Sequence, residues 1–283
     1  MVVLDASRAL PYPALMAADT TTMRDLGPVN WMGVRTLLRK EIGRFMRVWP
    51  QTLMAPIISN ILYMTVFVVV FAERRGNSGG SAEEFAAFLA PGLVMLGVLN
   101  NASANSSSSI MGSKMMGSIV DVLMPPLSYA ELAAGYIGGA IVRGVLVAVA
   151  TAAVLSVFTP LWPVHWWAVL YFGLAAATIM AMVGVLSGIW AEKFDQLAVV
   201  NQFVILPMSF LSGTFYSIYS LPETWRTVSL LNPLFYLIDG FRYGFTGEHE
   251  SNLGLGIAYS GALLAVLFTA CMLVLRSGWK LKA

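Results

Sequence analysis

Four stretches of this sequence run for about 20 residues or more without a charged side chain: Leu53 to Phe71, Trp166 to Ala191, Leu197 to Tyr219 and Leu253 to Leu275. A bilayer hydrocarbon core is about 30 Å thick and a helix rises about 1.5 Å per residue, so each stretch can cross as a helix. Two further stretches are less uniform. Phe85 to about Met111 turns polar but stays uncharged in its second half, and Leu132 to about Phe158 is interrupted by Arg143. Over all 283 residues 58% are hydrophobic and 11% charged, against about 25% charged in soluble domains, which sets the class as an integral membrane protein. The expected fold is all-α with six transmembrane helices, at about 51–72, 85–111, 132–158, 166–191, 197–219 and 253–275.

Lys and Arg in short flanking segments orient such a protein. With six spans both termini share one side. That side and the loops after spans two and four collect Arg8, Arg24, Arg35, Arg39, Lys40, Arg44, Arg47, Lys114, Lys193, Arg276, Lys280 and Lys282, leaving Arg74, Arg75, Arg226 and Arg242 on the other. The bias places both termini in the cytoplasm. Residues 1–27 lack the basic start and apolar core of a cleaved signal peptide and read as a loose cytoplasmic tail. Cys271 is the single cysteine, and His165 and His249 have no metal-ligand spacing, so neither a disulfide, a metal site nor redox chemistry is expected.

Ahead of the first span, Trp31, Val34, Leu38, Ile42, Phe45 and Trp49 recur three or four apart, with Arg35, Arg39, Lys40, Arg44 and Arg47 on the flank and far side. This pattern predicts an amphipathic helix along the cytoplasmic surface, with its basic face toward anionic lipid headgroups. Span two ends in the small and polar run Asn100 to Ser109, in which Asn100, Asn101, Ser103 and Asn105 are too costly to face lipid. They either pack a neighbouring helix or a dimer interface, or line a solute path. After that run, Met115, Ile119 and Val122 share one face of a short helix that Pro125 and Pro126 end, either a helix that docks into a partner or a solvated connector packed on its own bundle. Arg143 either faces the interior, pairing with an acid or with the polar half of span two, or snorkels to the nearer surface.

The stretch LLNPLFYLIDGFRYGF, residues 230–245, reaches only about 24 Å as a helix and cannot span. Asn232 caps it, Pro233 takes its first position, and its aromatics suit an outer-leaflet re-entrant or interfacial helix on which Asp239 and Arg242 can pair. There is no Gly-rich loop ending in Gly-Lys-Ser or Gly-Lys-Thr to hold ATP. Proton relays normally need intramembrane acids or histidines, and Arg143 is the one charge inside the six expected spans. The serines at 106–109 have no base nearby in sequence, so catalysis by this chain is not expected.

From about Trp31 onward the chain resembles the permease subunits of ABC-2 type transporters, bacterial inner-membrane exporters with a separate ATPase subunit. The resemblance rests on KEIGRFMRVWPQTLMAPIISNILY, APGLVM, LMPPLSYAELAAGYIGG and LSGTFYSIYSLPETWRTVSLLNPLFYLIDGFRYGF, in that order. It implies that residues 28–283 form one transmembrane domain working as a homodimer, each half contacting a nucleotide-binding subunit that holds ATP and Mg, with no cofactor in this chain and no nucleic-acid partner. Gly117, Asp121, Leu123, Met124, Pro125 and Pro126 would form the cytoplasmic coupling helix. The segment of Trp31, Arg35, Arg39, Arg44 and Arg47 would be the connecting helix, and residues 220–250 short outer helices, with Gly213, Asn232, Pro233, Asp239 and Arg242 at an outer gate. The implied function is outward movement of an amphipathic solute, a lipid, lipid-linked saccharide or drug. An ion-coupled carrier and a non-transporting partner subunit are the alternatives.

Overall fold

The computed structural model describes residues 29–75 and 81–281, and the tail expected over 1–27 lies outside them. Every regular element among the described residues is helical. Helix α1 (Trp31–Met46) leads through a π-helical turn, Pro50–Met54, into α2 (Ala55–Arg75). Helix α3 (Ala82–Met115) returns, the single turn and a half of α4 (Ile119–Leu123) follows, and α5 (Tyr129–Leu155) and α6 (Trp166–Trp190) form the next antiparallel pair. Helix α7 (Phe194–Val200) continues through a π-helical turn into α8 (Leu206–Phe210). Then come α9 (Glu223–Leu231), α10 (Pro233–Thr246) and α11 (Leu253–Ser277).

Local chemistry sets these boundaries. Ser81 with Glu84 and Ser128 with Glu131 form reciprocal capping boxes at the starts of α3 and α5, each satisfying two backbone N–H groups that a helix start leaves open. Asn232 and Asn252 cap α10 and α11, and Gly247 and Gly278 close them in the left-handed conformation.

Among the described residues five helices are long and apolar enough to cross a membrane: Pro50–Val70, Ala82–Met115, Tyr129–Leu155, Trp166–Trp190 and Leu253–Ser277. The sixth expected span, 197–219, is realised as the shorter apolar helix Phe194–Phe210, roughly 25 Å long. Its end is written in side-chain hydroxyls. Thr214 Oγ1 donates to the Ser209 carbonyl at 3.2 Å, Ser212 Oγ bonds the same carbonyl, and Gly213 turns the chain away at φ +69. Hydroxyls that capture terminal carbonyls compete with helix continuation, which an apolarity pattern does not register.

Helix α3 is the axis of the bundle. Leu89, Leu93, Met95 and Leu99 are fully buried in a core completed by Phe172 and Ala176 of α6 and Leu237 of α10. By contrast α2 and α11 expose Ile58, Leu62, Val66, Leu255, Val266 and Leu273, a surface suited to hydrocarbon rather than water. The α3–α6 contact is close enough to depend on an absent side chain: a Cβ on Gly184 would lie 2.3 Å from the Ser103 carbonyl oxygen.

Gly184→Leu should therefore lower stability in detergent by about 2 to 3 kcal/mol, because backbone rather than a flexible side chain must move. Gly261→Leu, where a Cβ meets nothing within 4 Å, should change it by less than about 0.5 kcal/mol. Thermal unfolding followed by tryptophan fluorescence compares them; equal losses would contradict the close α3–α6 contact.

Candidate functional site

The polar run of α3 divides by face. Ser103, Asn105, Ser106, Ser107 and Ser109 are buried against other helices, whereas Asn100, Ala104 and Ser108, spaced four apart, point into a cavity of about 610 Å³. Its walls come from the α1–α2 turn (Gln51, Thr52), α2 (Pro56, Ser59, Asn60, Tyr63), α3, α5 through Arg143, and α8 (Leu206, Phe210). Both readings of the polar run, helix packing and exposure to a polar space, thus apply to different residues of it.

Two guanidinium groups reach this cavity. Arg143, midway along α5, donates from Nη2 to Asn101 Oδ1 at 3.0 Å, and Asn101 Nδ2 is spent on the Gly97 carbonyl at 3.0 Å. Of the routes open to Arg143 in sequence, the polar half of span two is the one taken. No ion pair reaches Arg143 among the described residues, and its Nε has no partner there. Arg44 arrives from α1: it donates to the Asn105 carbonyl at 2.7 Å, to Asn105 Oδ1 at 3.0 Å and to Ser108 Oγ at 3.2 Å. It also pairs with Glu41, whose Oε2 lies 3.2 Å away and whose Oε1 accepts from Ser109 Oγ at 2.6 Å.

This adds an inward-facing polar pair to the amphipathic pattern of α1. Its buried residues are Leu37, Glu41 and Phe45; Trp31 and Trp49 are exposed, Val34, Leu38 and Ile42 half-buried, and of the expected apolar stripe Phe45 alone is buried. Arg35, Arg39 and Arg47 stay exposed while Arg44 turns inward. The reason is the Glu41–Arg44 pair, which finds in α3 the hydrogen bonds an apolar face could not use. Helix α5 makes room with Gly139, where a Cβ would lie 2.5 Å from Glu41 Cβ. Glu41 escaped the sequence reading. The available signal was one acid, three residues before an arginine, on an otherwise basic helix.

At the far end of the bundle, α10 is inserted rather than laid on a surface, with Leu234, Phe235, Leu237, Ile238 and Phe241 buried. Asp239 and Arg242 are both buried, but they do not form the expected pair. Asp239 instead accepts from the backbone N–H groups of Glu250 at 2.9 Å and Ser251 at 2.8 Å and from Ser251 Oγ at 2.6 Å. Arg242 donates to the Phe88 carbonyl at 3.1 Å and the Gly213 carbonyl at 2.7 Å, with its guanidinium 3.8 Å over the Phe88 ring. Each charge is thus committed to backbone groups rather than to its neighbour of opposite sign. Asn232 also donates to the Met208 carbonyl at 2.6 Å, so Gly213, Asn232 and Arg242 join α10 to the end of α8 and to α3. Pro233 sits at the first helical position as expected.

At the α1 end, Gly117 in the left-handed conformation (φ +68) breaks α3 from α4. Ile119 and Val122 anchor α4 in the core, while Met115 belongs to α3 and is exposed, because the helix break moves it off their face. Met116, Val120, Leu123 and Met124 are exposed with it, as are Asp121, Pro125 and Pro126. Lys114 Nζ donates to the Ile189 and Ala191 carbonyls at 2.7 and 2.6 Å, tying the α3–α4 junction to the end of α6. In the loop after α6, Glu192 is 2.6 Å from Nζ of Lys280, which lies beyond α11 and holds that carboxyl below the usual carboxylate range.

A helical bundle with five helices among the described residues long and apolar enough to cross a membrane has the make-up of a polytopic membrane protein. The family model for ABC-2 type transporters matches residues 32–246, and the chain belongs to that family. It is 35% identical over 254 residues to the inner membrane transport permease YadH of Escherichia coli K12, covering 89% of this chain and 98% of that one. It is also 24% identical over 261 residues to nodulation protein J of Rhizobium leguminosarum bv. viciae, with 88% and 95% covered, and 22% identical over 274 residues to that of Neorhizobium galegae, with 92% and 98% covered. The chain is thus a transport permease of the ABC-2 type.

Glu41→Ala should cost about 3 kcal/mol, since it leaves Arg44 uncompensated in a partly buried site. The double variant with Arg44→Ala should cost less than the sum by about 1 kcal/mol or more in a double-mutant cycle of detergent unfolding. Additive losses would mean the pair is not energetically coupled.

Proposed function

We propose that this chain is the membrane half of an exporter that moves an amphipathic solute outward across the inner membrane, two copies working together and each docked on a separate ATPase subunit. The observation that carries the reading is that one helix, α3, lines a partly polar cavity along one part of its length and ends at an exposed apolar knuckle, α4. Family membership supplies the ATPase as the expected partner, and the inner-membrane relative supplies the compartment. The lysine and arginine bias supports cytoplasmic termini, with Phe194–Phe210 counted as a sixth, short crossing.

In this reading the knuckle is where nucleotide-driven motion enters. Met116, Val120, Leu123 and Met124 offer the ATPase a flexible apolar face, and Ile119 and Val122 pin that face to the bundle. A push on α4 is passed on by discrete ties. Lys114 connects it to the end of α6, and Asn30, which bonds the Pro126 carbonyl at 3.3 Å and caps α1, connects the α4–α5 loop to the helix that carries Arg44 to the cavity. Nucleotide shifts the bundle only by as much as it binds one arrangement better, so these ties set how much of that difference reaches the cavity. At the outer end the Arg242 clamp on Phe88 and Gly213 makes α10 a lid that moves with α3 and α8.

Leu123→Asp and Asp121→Lys, co-purified with the partner ATPase and reconstituted, should leave basal ATP hydrolysis intact while solute-stimulated hydrolysis falls about tenfold, within the usual range of coupling energies. Unchanged stimulation in both variants would remove α4 as the point of coupling.

A further inference from the structure

The cavity beside α3 is electrically unbalanced. Arg44 is offset by Glu41, but Arg143 lies against one amide oxygen, and the charged group that bears on it most is Arg44, a second cation. An arginine midway along a membrane-crossing helix is costly unless paired or wet, and here it faces a space large enough for a ligand. The lining is mixed: Asn60, Asn100 and Asn101 join the two arginines, Asn101 in contact with Arg143, and Pro56, Leu96, Leu206 and Phe210 add apolar groups. Asn100 and Asn101 each spend amide hydrogens on the carbonyls four residues before them, at 3.0 Å, which holds their side chains in place along the wall.

We propose that this cavity binds the anionic head of an amphiphile, a phosphate or carboxylate group seated at Arg143, with the tail running along Leu206 and Phe210. A cationic amphiphile would meet two guanidinium groups there and be excluded. This rests on the transport reading for its purpose, but the binding site itself requires only this chain.

The test uses the full chain in phosphatidylcholine nanodiscs and two photoreactive probes with the same diazirine-bearing dodecyl tail, one ending in phosphate and one in trimethylammonium. The phosphate probe should label peptides carrying Tyr63, Leu206 and Phe210 saturably, and the ammonium probe should not. Arg143→Gln should cut phosphate-probe labelling about tenfold, the loss of one charge-assisted hydrogen-bonding group, and Arg143→Lys should retain most of it. Equal labelling by the two probes, or unchanged labelling in Arg143→Gln, would overturn the assignment. Displacement by an equal concentration of inorganic phosphate would overturn the amphiphile and leave a free-anion site. Should Arg143→Gln fail to fold by its melting curve, the two-probe comparison on the unaltered chain decides. Binding of the phosphate probe without stimulation of ATP hydrolysis in the assembled complex would refute the transport reading and leave the anion site standing. Stimulation by the ammonium probe without anion labelling would do the reverse.

Discussion

Ten consecutive small or polar residues of α3 lie in a helix long and apolar enough to cross a membrane, and three neighbouring helices pack against them. Helix α6 brings Gly184 and Gly188 against Ser103 and Ser107, so backbone approaches backbone with no side chain between. Helix α1 contributes Glu41 and Arg44, which take up Ser109, Ser108 and Asn105. Helix α5 supplies Arg143 to Asn101 and glycine to admit Glu41. Residues 100, 104 and 108 are left over on one face, and the cavity lies along them. Packing and cavity are two consequences of one constraint.

The same economy governs the α10 end of the bundle. A buried arginine and a buried aspartate three residues apart could neutralise each other, yet each is committed to backbone groups of other segments. The carbonyls of Phe88 and Gly213 and the N–H groups of Glu250 and Ser251 belong to three different segments. Helix α10 therefore acts as a keystone joining α3, the end of α8 and the approach to α11. Polar residues in this chain locate helices relative to one another, while the apolar ones make each helix possible.

Much of this was legible in the sequence. Uncharged length marks the crossing helices because the bilayer fixes it, and the Asn-Pro start of α10 and the Pro-Pro stop after α4 follow from local backbone chemistry. The polar half of α3 announced that it must face protein or a polar space. What was illegible depended on partners distant in sequence. Glu41 is 68 residues from Ser109 and reads as a minor acid on a basic helix until α3 is placed beside it. Asp239 and Arg242 are adjacent on one helical face, so local reasoning pairs them, and only the fold reveals nearer claimants. The early end of α8 depends on hydroxyls bonding backbone across a turn, which hydropathy does not weigh.

The central claim is that this chain supplies the membrane path and another protein supplies the energy. The most direct measurement is the native mass of the gently extracted chain co-expressed with its chromosomal neighbours. The account predicts a complex of two copies of this chain with two copies of one ATPase, active in ATP hydrolysis. A stable chain recovered alone, with solute flux that follows an ion gradient and no ATPase attached, would contradict it.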